Sequence, residues 1–156
     1  MNRQSSRAVL YALASGFGLG FSPYAPGTVG SLGGIALFLL TRPMGGGWQA
    51  LLLALFCLSA IGIADGAERV SGERDPSFIV IDEIAGMWAT LLFLGREDML
   101  VLALAFVLFR AFDIAKFFPL NLFESFRGGV GIVADDVAAG MLVNLLLRLL
   151  LTIGLF

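Results

Sequence analysis

The chain has 156 residues, of which 58% are hydrophobic and only 14% carry a charge. This length fits one domain over residues 1–156, and the composition is typical of a membrane protein, because soluble domains have about 45–50% apolar and about 25% charged residues. The net charge of −2, without a run of basic residues, argues against a nucleic-acid-binding surface.

The chain contains no histidine and one cysteine, Cys57. These counts exclude Ser-His-Asp catalysis, histidine-ligated zinc and a disulfide framework. Any chemistry must therefore come from carboxylates, Lys, Arg, hydroxyls and the backbone. Oxygen ligands of this kind suit a hard cation such as Mg²⁺.

The N-terminal third is apolar but interrupted. Residues 8–21 are too short and too rich in glycine to span a membrane, so they predict an interfacial or re-entrant helix. Residues 22–31 contain two prolines, two glycines and several hydroxyls, which predict a loop. Its backbone N–H groups could bind a phosphate, with Ser22 and Thr28 as candidate ligands. A short apolar segment, 32–40, follows.

The next long apolar segment, 48–64, predicts a membrane-spanning helix. After a polar stretch, Asp75-Pro76 predicts the start of another helix, because Asp caps helices well and proline favours the first helical position. This helix would run to Leu94 and carry Asp82 and Glu83 in an otherwise apolar run. Carboxylates in such a run are costly unless they are paired, bound to metal or facing a wet cavity.

The last third contains two more apolar segments, 99–109 and 137–156. The first leads into three charged residues spaced three apart, and Pro119 closes that helix. The second is opened by an acidic pair after a glycine-rich stretch. The sequence thus predicts an all-α integral membrane bundle of about four to five apolar helices, plus the N-terminal interfacial or re-entrant helix.

If the apolar segments cross a membrane alternately, the charged ends of several segments meet on one side. That side would carry Arg69, Arg74, Arg110, Lys116 and Arg127, against Arg42 and Arg96 opposite. By the positive-inside rule, the charged face is the cytoplasmic one.

The two acidic pairs, Asp82-Glu83 and Asp135-Asp136, would then face each other. Because four such carboxylates repel unless a cation bridges them, we predict one or two Mg²⁺ ions that polarise a phosphoryl oxygen and activate a water. The alternative for Asp135-Asp136 is that they merely complement a helix dipole. Whether water or a carboxylate attacks phosphorus stays open.

The predicted site residues fall into three groups. The candidate metal ligands are Asp75, Asp82, Glu83, Asp135 and Asp136; the candidate catalytic residues are Asp82, Glu83, Asp113 and Asp136; the candidate phosphate-binding residues are Ser22, Thr28, Arg110 and Lys116. Arg110, Asp113 and Lys116 lie on one helix side, where the cations would bind phosphate and Asp113 would orient one of them or bind metal. Their alternative is a solvated ladder at the membrane surface.

Four blocks of the sequence resemble the phosphatidylglycerophosphatase A family, in the family's order. They are Ser22-Pro23 with Pro26-Gly27-Thr28 and Gly30-Ser31; Asp75 with Ile79-Val80 and Asp82-Glu83; Phe109-Arg110 with Asp113, Lys116 and Pro119; and Gly128-Gly129 with Gly131-Ile132, Asp135-Asp136 and Ala139-Gly140. The resemblance implies a mainly helical, Mg²⁺-dependent enzyme of the bacterial inner membrane. It would hydrolyse the terminal phosphomonoester of phosphatidylglycerophosphate to give phosphatidylglycerol.

Two other functions compete with this interpretation. Residues 65–69 resemble the opening Asp-Gly of CDP-alcohol phosphotransferases, although the downstream spacing of that family is missing. A small ion transporter with intramembrane carboxylates is the other, but the acids cluster at one end of the segments instead of forming a path across them. The predicted partners are the lipid substrate and the bilayer, and the oligomeric state stays open.

Overall fold

The computed structural model describes residues 3–115 and 126–155, and within these ranges the chain is helical without a β-strand. The helices are α1 (Arg3–Ala14), α2 (Pro26–Thr41), α3 (Gly46–Ser71), α4 (Ile81–Leu91), α5 (Met99–Ala115) and α6 (Gly129–Thr152), with short 3₁₀ turns at Leu19–Phe21 and Arg42–Met44. The prediction of an all-α fold is confirmed.

Two helices are long and apolar enough to cross a membrane. They are α3, with 26 residues, and α6, with 24. At a rise of about 1.5 Å per residue, each exceeds the roughly 30 Å of a bilayer's hydrocarbon core. Of the four to five apolar helices that we predicted, length and composition identify these two, since α2 and α5 have 16 and 17 residues.

The short helix α4 lies at the centre of the bundle. Every residue of α4 except Glu83 is buried. It packs chiefly on α6 and α2, with further contacts to α3 and α5. Its 11 residues span only about 16 Å, so α4 reaches about halfway along its longer neighbours.

Glycines allow the helices around α4 to come close. A Cβ atom on Gly34 of α2 would lie 2.7 Å from the carbonyl oxygen of Ile84, and one on Gly86 of α4 would lie 2.6 Å from that of Asp136. Such contacts between small residues and backbone are common where apolar helices pack tightly. They bring the starts of α2, α4 and α6 together.

The other end of α4 is held by polar side chains of α6. The side-chain amide of Asn144 donates hydrogen bonds to the carbonyl oxygens of Thr90 and Leu92, each at 2.8 Å. Arg148 donates to the same Leu92 oxygen at 3.0 Å and to the Asn144 side chain at 2.7 Å. These bonds satisfy carbonyl groups that the end of a helix leaves without partners, and they fix α4 along the axis of α6.

The predicted helix start at Asp75-Pro76 is wrong, because α4 begins at Ile81. The intervening residues form a turn, in which Asp75 has a positive φ of 47° and the Ile79 N–H binds the Pro76 carbonyl. The Val80 N–H then binds the Ala14 carbonyl at the end of α1, at 3.0 Å. This long-range contact overrides the local capping signal, so Asp82 and Glu83 lie in the first turn of α4.

Other helix boundaries also differ from those predicted from the sequence. The apolar segment 48–64 lies inside α3, which continues through the polar residues to Ser71. Within 8–21, α1 ends at Ala14 and a 3₁₀ turn follows. The predicted loop 22–31 becomes helical at Pro26, and α6 begins before the acidic pair Asp135-Asp136.

Candidate active site

A cavity of about 920 Å³ lies at the end of the bundle where α2, α4 and α6 begin and α5 ends. Its walls include Pro26 and Gly27 of α2, Ile132 of α6 and the turn before α4. The N-terminus of a helix carries a partial positive charge and free N–H groups. Three such ends around one cavity favour an anionic ligand.

Three carboxylates meet in this cavity. Asp82 and Glu83 come from the first turn of α4 and Asp136 from the second turn of α6, and ligand oxygens of the three lie within 4.8 Å of one another. We call Asp82, Glu83 and Asp136 the carboxylate triad.

Each carboxylate of the triad has one buried oxygen that accepts no hydrogen bond from the described part of the chain. These atoms are Asp82 Oδ1, Glu83 Oε2 and Asp136 Oδ2. Buried carboxylate oxygens without donors are costly, and a bound cation would satisfy all three. The all-oxygen donor set suits a hard divalent cation such as Mg²⁺.

The electrostatics of the first turn of α4 also favour a bound cation. Burial raises the pKa of Asp82 well above its usual range, and the charges of Glu83 and Asp136 raise it further. Burial also raises the pKa of Glu83, although its hydrogen bond with Asp82 and the charge of Arg110 oppose the shift. Without a cation, these two acids therefore bind protons more readily in the folded protein than in the unfolded chain.

Arg110 lies beside the triad and is held by its own helix. Its Nη1 atom is 2.5 Å from Asp113 Oδ2, one turn along α5, and 3.9 Å from Glu83 Oε1. The Arg110 side chain is only 16% exposed. Asp113 thus orients a guanidinium group at the edge of the triad, where it can pair with a phosphate.

Gly27 is a site residue whose role the sequence did not indicate. A Cβ atom on Gly27 would overlap Glu83 Oε1 and lie 3.0 Å from Arg110 Nη1. The absence of a side chain therefore lets α2 begin directly against both groups. A glycine behind the proline that opens a helix was the available signal.

The remaining predicted residues divide into three sets. Asp75 and Asp135 line the cavity outside the triad. Ser22 and Thr28 are not among its lining residues, and the Ser22 hydroxyl donates to the Tyr24 carbonyl at 2.9 Å. Lys116 lies outside the described residues. Arg74 and Glu68 also line the cavity, and they were not among the predicted site residues.

The chain matches one protein-family model and several curated proteins. The family model described as phosphatidylglycerophosphatase A matches residues 12–151. A Bacteroides thetaiotaomicron protein provisionally named phosphatidylinositol-3-phosphatase is 44% identical over 149 residues, which cover 90% of this chain and 91% of the relative.

Two relatives are named phosphatidylglycerophosphatase A. The one from Escherichia coli is 38% identical over 85% of this chain and 77% of its own length, and the one from Haemophilus influenzae is 35% identical over 85% and 82%. No solved structure matches the chain. The matched range contains all four sequence blocks and the whole cavity, and the chain belongs to the phosphatidylglycerophosphatase A family of lipid phosphatases.

Proposed function

We propose that the protein is a Mg²⁺-dependent phosphatase that hydrolyses the terminal phosphomonoester of phosphatidylglycerophosphate to phosphatidylglycerol and inorganic phosphate. The observation that carries this proposal is the carboxylate triad, which places three buried oxygens without hydrogen-bond donors beside Arg110. The family name and the names of the two phosphatidylglycerophosphatase A relatives support the substrate.

The charged groups at and beside the triad have separate roles in this reaction. The triad would hold the Mg²⁺, with Asp75 and Asp135 as further ligands. When bound, Mg²⁺ supplies Lewis-acid polarisation of a phosphoryl oxygen and lowers the pKa of a water. Arg110, oriented by Asp113, pairs with the phosphate and neutralises the charge that develops as the bond breaks.

The helix N-termini add fixed dipoles around the same phosphate. Water would form the new O–P bond and lose a proton as the bond between phosphorus and the glycerol oxygen breaks, and that oxygen would take up a proton, so that the net reaction consumes one water. Phosphoryl transfer depends mainly on positioning and electrostatic stabilisation, and this cavity is built to supply both.

We further propose that the protein lies in the bacterial cytoplasmic membrane with the cavity on the cytoplasmic side. The outward faces of α3 and α6 support the membrane location, since they expose a row of large apolar side chains: Leu51, Leu55, Leu58, Met141, Leu145 and Leu149. Arg69, Arg74, Arg110 and Arg127 at the cavity end support the cytoplasmic side.

Phosphatidylinositol 3-phosphate is a second candidate substrate. The Bacteroides relative, which is 44% identical, carries the name of an enzyme for that lipid. Its terminal phosphate is also a monoester, so the same chemistry would remove it. Family membership weighs against the phosphotransferase and transporter alternatives.

The test is phosphate release from phosphatidylglycerophosphate, phosphatidylinositol 3-phosphate and phosphatidic acid by the purified protein, with Mg²⁺ and with EDTA. We expect release in Mg²⁺ that EDTA abolishes, fastest with phosphatidylglycerophosphate. Full activity in EDTA would contradict the metal requirement, and faster release from the inositol lipid would reassign the substrate. CMP release from a CDP-lipid would support the phosphotransferase function instead. Ion flux without phosphate release would support the transporter function.

A further inference from the structure

A second, smaller recess adjoins the cavity. It has a volume of about 290 Å³ and is lined by Glu68, Arg74, Arg127 and Gly128. Three of these residues, Glu68, Arg74 and Gly128, also line the main cavity. The recess therefore extends the main cavity and adds Arg127, which the main cavity lacks. We call it the outer recess.

The outer recess favours an anion. Two arginines and one acidic residue line it, and Glu68 Oε1 accepts a hydrogen bond from the Asp75 N–H at 3.2 Å. The nearby Asp65, whose Oδ1 approaches Gly128, is already paired with Arg69. Arg127 stands two residues before the first residue of α6, whose N-terminal dipole adds to the positive potential. Both arginines are exposed, as expected for groups near the mouth of the cavity.

The first two turns of α6 connect the outer recess to the triad. Gly128 marks the start of α6, and Asp136 follows Gly129 by seven residues, which is about 10 Å along the helix axis. With a terminal phosphate at the triad, the rest of the headgroup could extend toward the outer recess, because the two spaces share Glu68, Arg74 and Gly128. In phosphatidylglycerophosphate, the next charged group in that direction is the phosphodiester that joins the headgroup to diacylglycerol.

Building on the proposed function, we infer that Arg74 and Arg127 bind the phosphodiester of the lipid substrate and so select lipids that carry a second phosphate behind the terminal one. Phosphatidylglycerophosphate and phosphatidylinositol 3-phosphate share this feature. Phosphatidic acid lacks it, because its single phosphate is the terminal one. The two arginines set specificity and take no part in bond cleavage.

The test compares kcat/KM for phosphatidylglycerophosphate and phosphatidic acid in mixed micelles, for the wild type, Arg127→Gln and Arg74→Gln. Arg69→Gln is the matched control, since Arg69 pairs with Asp65 at 2.7 Å, has a side chain 77% exposed and lines neither space. The ratio measured is kcat/KM for phosphatidylglycerophosphate divided by kcat/KM for phosphatidic acid. In the Arg127 variant, loss of one charge-assisted contact should lower this ratio about tenfold, mainly by raising KM for phosphatidylglycerophosphate. The Arg69 variant should keep the wild-type ratio.

A second readout separates this inference from the proposed function. Phosphatidylglycerol carries the phosphodiester without a terminal phosphate, so it should inhibit wild-type hydrolysis of phosphatidic acid competitively, and more weakly in Arg127→Gln. An unchanged substrate ratio and unchanged inhibition in both arginine variants would overturn the inference. A wild type that cleaves phosphatidic acid but not phosphatidylglycerophosphate would instead overturn the proposed substrate, and the inhibition assay would still test the recess.

Discussion

Gly86 and Gly140 face each other where α4 crosses α6, and a Cβ atom on Gly140 would overlap the carbonyl oxygen of Gly86. Each glycine lies four residues after a carboxylate of the triad, Asp82 in α4 and Asp136 in α6. Residues four apart share one face of a helix. The glycine contact therefore fixes how closely the two carboxylates approach.

Gly140→Ala should force α4 and α6 apart. Overpacking of this kind costs about 1–3 kcal/mol of unfolding free energy, and the separation of Asp82 from Asp136 should weaken Mg²⁺ binding and phosphate release. The measurements are thermal unfolding in detergent and activity against Mg²⁺ concentration. Gly62→Ala in α3 is the matched control, because nothing lies within 4 Å of its added Cβ, and it should keep both properties. Wild-type Mg²⁺ dependence in Gly140→Ala would contradict this account of the crossing.

Asp82→Asn, Glu83→Gln and Asp136→Asn should each reduce Mg²⁺-dependent phosphate release at least about a hundredfold, because each removes a charged ligand at the reacting phosphate. Unfolding without Mg²⁺ should stay cooperative, since the amides keep the shape of the carboxylates. Glu73→Gln, at an exposed acid outside the cavity, is the control and should retain activity. Near-normal rates in any one triad variant would remove that residue from the ligand set.

Mg²⁺ should stabilise the protein more at higher pH. Unfolded carboxyl groups titrate at about pH 4, and burial raises the pKa of Asp82 and Glu83 in the folded protein. The folded state therefore binds more protons than the unfolded state over this pH range. The contribution of these two acids to folding stability is present below the unfolded pKa and is lost as pH rises through the folded pKa. Bound Mg²⁺ offsets this loss.

The Tm measured with Mg²⁺ minus the Tm measured with EDTA should therefore grow between about pH 5 and about pH 8. Asp136→Asn should flatten that dependence by removing one ligand and one repelling charge. A wild-type difference that shrinks with rising pH would contradict the assignment of the triad as the cation site.

Gly27→Ala should lower kcat about tenfold or more, because the added methyl group displaces Glu83 and Arg110 from their places against α2. The substitution should not destabilise helix α2 itself, since alanine favours the helical conformation over glycine by up to about 1 kcal/mol. Gly47→Ala is the matched control, at the second residue of α3, where nothing lies within 4 Å of an added Cβ. Steady-state kinetics of the two variants would show the difference, and equal activities would exclude a role for the Gly27 contact.

The sequence predicted the helical class and the meeting of distant charged ends, because hydropathy and charge pattern are read residue by residue. It did not predict where helices begin. At Asp75-Pro76 the local capping signal was good, but the Val80 N–H bond to the Ala14 carbonyl holds that stretch out of the helix. A contact with α1 cannot be read from the residues around Asp75.

Helix ends and membrane-segment ends also differ for a physical reason. Hydropathy falls at Asp65, yet α3 continues to Ser71, and Gly72 ends it with φ 76° and an N–H bond to the Glu68 carbonyl. Polar residues end an apolar segment without ending a helix. This extra length of α3 brings Glu68 to the cavity and the outer recess, which the sequence pattern did not indicate.

On our proposal, Asp82, Glu83 and Asp136 hold one divalent cation between them. Electron paramagnetic resonance of Mn²⁺, which takes the same oxygen ligands as Mg²⁺, measures that binding directly in the detergent-solubilised protein. We predict that the wild type binds Mn²⁺, that Mg²⁺ displaces it, and that each triad variant binds it at least about tenfold more weakly while Glu73→Gln does not. Wild-type Mn²⁺ affinity in Asp136→Asn and Glu83→Gln would contradict the claim.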